Sequence, residues 1–116
     1  MLTMSTEALV PKFLIEASYE GQGAKGLAKE GGSSRRALVG DLIKKAGGTM
    51  EFFYYAFGAS DVYAVFDMPD NASAIALSLA VNASGAVRLK TIPLISPEEM
   101  DAAAKMQIAY QAPGAS

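Results

Sequence analysis

Two apolar stretches, TMEFFYYAF (49–57) and DVYAVFDM (61–68), flank the short link Gly58-Ala59-Ser60. β-Branched and aromatic residues bounded by turn formers predict two strands, and so short a link predicts an antiparallel hairpin. Strands of a half-solvated antiparallel sheet alternate apolar and polar residues, because one face meets water. FFYYAF and VYAVF are apolar on both faces. A fold that holds this hairpin must cover its sheet on both sides.

The rest of the chain supplies one cover. KFLIEASYE predicts a first strand with Phe13, Ile15, Ala17 and Tyr19 on one face and Leu14, Glu16 and Ser18 on the other. Gly21 to Gly32 reads as a glycine-punctuated connection with a short helical turn around Ala24–Lys29. A helix is expected from Ser34 to Ala46, ended by Gly47-Gly48. A second is capped by Asp70 and runs to Ala83. AVRLKTIPLI then predicts a fourth strand, and Ser96-Pro97-Glu98-Glu99 opens a C-terminal helix with Met100, Ala104 and Ile108 at helical spacing.

Strand, helix, strand, strand, helix, strand is the split β-α-β repeat of a ferredoxin-like α+β fold, here with an added C-terminal helix. Right-handed crossovers put the first and third strands in the centre and both main helices on one sheet face. The expected organisation is a loose leader over 1–10, a single domain over 11–110 and a loose tail over 111–116. The other sheet face has no cover within the chain, and a second copy is the simplest one. Composition agrees: 51% of 116 residues are hydrophobic, and a mean hydropathy of +0.20 is high for so small a domain standing alone. A homodimer or a larger homo-oligomer is expected.

Several function classes drop out. A net charge of −2, with no basic run longer than Arg35-Arg36, argues against nucleic acid as a partner. The chain has no cysteine and no histidine. That removes thiolate chemistry, disulfides, Ser-His-Asp arrangements and the usual zinc and haem ligands, so no metal and no cofactor are expected. Glu98, Glu99 and Asp101 suit a helix N-terminus better than a cation. Glu7, Lys12 and Glu16 interrupt the N-terminal apolar run, and no stretch is long enough to span a bilayer. The reading is a cytoplasmic protein with no membrane partner.

The stretch GAKGLAKEGGSSRRALVGDL (23–42) invites comparison with a phosphate loop. Gly26 and Gly31 have the Walker A spacing, but Gly32 stands where its lysine belongs. It is read instead as a helix start beneath a glycine-hinged flap. Arg35 lies in line with the stripe Leu38, Val39, Leu42, Ile43 and Ala46. Topology gathers Tyr19, Arg35, Asp61, Asn82 and Arg88 at one end of the sheet. Arginines there would meet negative charge, Asn82 would orient a ligand, and Asp61 would serve as a base toward a small carboxylate or enolate. The plainer alternative is an ion pair of Asp61 with an arginine that pins the hairpin.

Four segments carry a family resemblance: EGGSSRR (30–36), Phe57-Gly58 with Asp61-Val62, Pro69-Asp70-Asn71, and NASGAVRLKT (82–91). Together, over Phe13 to about Tyr110, the chain resembles the GYD-domain family. The resemblance implies the dimeric α/β-barrel variant of the ferredoxin-like fold. At the tripeptide that names the family this chain has Ala59-Ser60-Asp61, so only the aspartate carries over. The family implies no agreed activity, while wider fold relatives include cofactor-free monooxygenases, isomerases and haem-degrading proteins. The resulting expectation is a small-molecule-binding homo-oligomer, a cofactor-free oxygenase or isomerase acting on an acidic carbonyl compound. The alternative is a non-catalytic binding or assembly module.

Overall fold

The computed structural model describes residues 10–114, so all of the expected leader except Val10 lies outside the described residues. The strands are β1 (Lys12–Tyr19), β2 (Thr49–Tyr55), β3 (Val62–Asp67) and β4 (Val87–Leu94). The helices are α1 (Gly21–Glu30), α2 (Gly32–Lys45), α3 (Asn71–Ala83) and α4 (Pro97–Ala104). The sheet is antiparallel throughout, in the order β2-β3-β1-β4. The two central strands are the two expected, and the fold is of the ferredoxin-like α+β type.

Phe13, Ile15 and Ala17 of β1 and Val62, Ala64 and Phe66 of β3 point at the helices and form the core with Ile43, Met68, Ala74 and Val87. Helices α3 and α4 both start for local reasons. Asp70 accepts the Ser73 N–H at 2.8 Å in a capping box that begins α3, and Ser96 does the same for Glu99 at the head of α4. Helix α2 packs on β2 and α3 on β4, and the two helices scarcely touch. That separation corrects the expected α2 stripe. Ile43 is buried and Val39 half-buried, but Leu38 and Leu42 are exposed, because part of the stripe overlooks the gap between the helices.

The glycine-rich connection is a ten-residue helix, not a loop with one helical turn. Three glycines within six residues disfavour a helix on propensity, but the packing requires one of them. The Glu20 N–H donates to the Ala86 carbonyl at 2.9 Å. A Cβ on Gly23 would come within 2.0 Å of that same oxygen. Gly31, at φ 90° and ψ 156°, ends α1 and begins α2 at once, in a region that essentially only glycine occupies.

A register shift between Met50 and Phe52 turns Met50, Phe53 and Tyr55 inward and Phe52 and Tyr54 outward. The outer face thereby gains a transverse apolar belt, Phe52–Val65–Leu14–Ile92, one residue from each strand in direct register. Polar residues flank it. Lys12 contacts Asp67 and Glu51, both at 2.8 Å, and these two carboxylates, Asp67 first, hold its ammonium charged above the ordinary lysine range. Toward the other end Glu16 lies opposite Lys90. The outer face is therefore apolar in a band, not throughout.

Candidate functional site

The chain passes repeatedly through one end of the sheet. There β1 ends at Tyr19, α2 begins, β2 ends at Tyr55, β3 begins after Asp61, and α3 finishes just before Val87. Helix α1 straps across this end, tied at its start to Ala86 and at its finish to Gly31. Three cavities meet beneath and beside it, and Tyr19 lines all of them.

The first cavity is the slot left between α2 and α3. It is about 70 Å³ and apolar, floored by Ile15, Ala17, Val62 and Ala64, walled by Val39, Leu42, Leu77 and Val81, with Arg35 at its mouth. The second, about 280 Å³, lies on the Gly23–Gly26 side of α1 and shares Arg35. The third, about 370 Å³, lies on the other side, between Leu27, Tyr55, Phe57 and Asp61. An apolar slot with a cation at its mouth and wet cavities on both flanks suits a ligand with an apolar end and an anionic or carbonyl head.

Tyr55, the last residue of β2, also belongs to this site. Its hydroxyl donates to the Gly32 carbonyl at 3.0 Å, and Gly32 has no side chain because a Cβ would stand 2.9 Å from the tyrosine ring. Burial pushes the Tyr55 phenol above its ordinary value. The neighbouring Tyr19 phenol adds to that, and Arg35 and Arg36 pull the other way. The signal that points to Tyr55 is Gly32, the first residue of α2, where the missing side chain makes room for the ring.

The five expected residues stand at the same end but do not form one cluster. Tyr19 is central and Arg35 is at the slot mouth. Asp61 lies across α1 in the third cavity, and no ion pair joins it to Arg35 among the described residues. Its Oδ2 accepts the Tyr19 N–H at 2.9 Å, while its own N–H donates to the Ala17 carbonyl at 2.8 Å. Asp61 thus latches the hairpin onto β1 through backbone groups, without an arginine. Asn82 is a clip of the same kind: its Oδ1 accepts the Leu89 N–H at 2.7 Å and its Nδ2 donates to the Leu89 carbonyl at 3.2 Å. Arg88 lies outside the slot, 3.5 Å from Glu20 in an exposed pair worth little. Asn82, Arg88 and Glu20 line a separate surface hollow.

The match to known families can now be set beside this geometry. The GYD domain matches residues 13–104, most of the chain. The chain belongs to the GYD-domain family. No curated protein and no solved structure matches it. In this GYD domain Asp61, on the β2–β3 link, is the latch just described. Ser60 is buried at 9% exposure beside it. Among the described residues no helix is long and apolar enough to cross a membrane.

The latch has a measurable weight. Asp61→Ala leaves the Tyr19 N–H without its acceptor in a part-buried place, a loss of about 1–3 kcal/mol. Asp61→Asn keeps an acceptor oxygen and is expected to cost under about 1 kcal/mol. Urea unfolding of the two variants separates them, and equal losses would contradict the latch.

Proposed function

We propose that this GYD domain is a small-molecule-binding homodimer whose ligand has an apolar body and an anionic, carbonyl-bearing head. The observation that supports this is the convergence of three cavities on Tyr19, with Arg35 at the mouth of the apolar slot and unpaired with any carboxylate among the described residues. Arg35 would hold the negative head, and the Tyr19 phenol would be a donor toward a carbonyl or enolate oxygen, beside a Tyr55 whose one O–H is held by the Gly32 carbonyl. Stabilising an enolate in this way is the chemistry a cofactor-free oxygenase or isomerase needs. Assembly is supported by the outer face, where the Phe52–Val65–Leu14–Ile92 belt offers a second copy a matching apolar band.

A second reading, binding without catalysis, is favoured by the engagement of Asp61 and Asn82 with backbone groups. It leaves Asp61 serving as a latch and not as a base.

Benzoylacetate, with an aromatic end, a ketone and a carboxylate, is a suitable probe. It is expected to raise the melting temperature of the wild-type protein. Arg35→Met should leave the unliganded melting temperature within about 3 °C, equivalent to under about 1 kcal/mol, and abolish the shift. A shift that persists in Arg35→Met would remove Arg35 from the site, and no shift in either protein would remove the proposed ligand class. Solvent-proton exchange at the carbon between the two carbonyl groups, faster with protein than without, would separate the enzyme from the binding module.

A further inference from the structure

The arm that follows β4 has no place on its own domain. Helix α4 makes no more than incidental contact with any other element. Ile95, Met100, Met106, Ile108 and Tyr110 are 57–81% exposed. Beyond α4, Met106, Ile108 and Tyr110 recur at every second position in a stretch without regular secondary structure. That is the pattern of a strand with one apolar face. The direction in which the arm leaves is fixed, because the Ser96–Glu99 capping box sets the turn between β4 and α4.

We propose that the arm, Pro97–Tyr110, packs across the second copy of the homodimer, reciprocally, and not on the domain from which it springs. This rests on the dimer proposed above and adds to it the element that each copy lends the other. The eight residues of α4 span about 12 Å, and six extended residues beyond it add about 20 Å. A four-stranded sheet is only about 14 Å across, so the arm is long enough to pass the edge of the sheet-to-sheet contact and lie along the partner's flank. Met100, Met106, Ile108 and Tyr110 then lose their exposure to apolar surface on that copy. The sheet-to-sheet contact alone would leave all four in water.

The test begins with sedimentation equilibrium of the intact chain. A monomer at every concentration would sink the dimer itself, before any variant is read. With a dimer established, the chain lacking residues 97–116 is expected to keep its circular dichroism spectrum and to dimerise at least tenfold more weakly. A smaller change would overturn the arm exchange and leave the sheet-to-sheet dimer standing. The absence of cysteine permits a second readout. A fluorophore on Ile108→Cys should become solvent-exposed on dilution through the same concentration range as dimer dissociation. An environment that does not change on dilution would mean that the arm lies on its own copy, and would overturn the proposal.

Discussion

Phe52→Glu is expected to turn the proposed dimer into monomers. Phe52 stands at one end of the apolar belt and is 38% exposed within its own chain, and that exposed share is what a contact between copies can bury. Losing it costs up to about 1 kcal/mol, and desolvating an unpaired carboxylate adds several kcal/mol more. A two-fold interface contains the substitution twice. Sedimentation should show dimerisation weakened by at least about a hundredfold, equivalent to about 3 kcal/mol. The separated chains should still fold, with stability lowered by the loss of the partner. An unchanged dimer would show that the belt is not the contact.

Gly23→Ala and Gly26→Ala are expected to move stability in opposite directions, although both place alanine in α1. At Gly23 the new Cβ would stand 2.0 Å from the Ala86 carbonyl oxygen and 2.9 Å from its carbon. These are backbone atoms in the ladder end, with no side chain to swing aside. Helix α1 must shift, and the Glu20 N–H bond to the same carbonyl goes with it, for a net loss of about 2 kcal/mol. At Gly26 nothing lies within 4 Å of the new Cβ, so the variant gains helix propensity, up to about 1 kcal/mol. Denaturant midpoints would decide. Parallel shifts would mean that α1 is not held against Ala86, and the site would lose its roof. The benzoylacetate shift should fall with Gly23→Ala and persist with Gly26→Ala.

The same helix shows where the sequence could be read and where it could not. Strand order, the Asp70 and Ser96 caps and the end of the sheet where the chain returns all follow from periodicity and connection lengths, which are local facts. Helix α1 was missed because Gly21, Gly23 and Gly26 read as a hinge. The reason for a glycine at position 23 is a carbonyl more than sixty residues away in sequence, which no local pattern announces. The bulge at Met50–Phe52 is equally silent, and it decides that Tyr55 faces the third cavity and Tyr54 the outer surface. Arg35 and Asp61 stand at the same end of the sheet, in different cavities. Whether they met depended on α1 lying between their cavities, and on the Tyr19 N–H claiming the carboxylate first.

The register of β1 against β4 has a practical meaning for anyone who handles the protein. Lys12 pairs with Leu94 at one end of the sheet and Tyr19 with Val87 at the other. The chain therefore enters and leaves the sheet at a single corner. Seven residues along β1 separate that corner from Tyr19, about 23 Å. Any tag, tether or fused protein joined near Lys12 or Leu94 is anchored at the corner opposite the slot mouth. A surface-immobilised copy would present Tyr19 and Arg35 outward to whatever flows past.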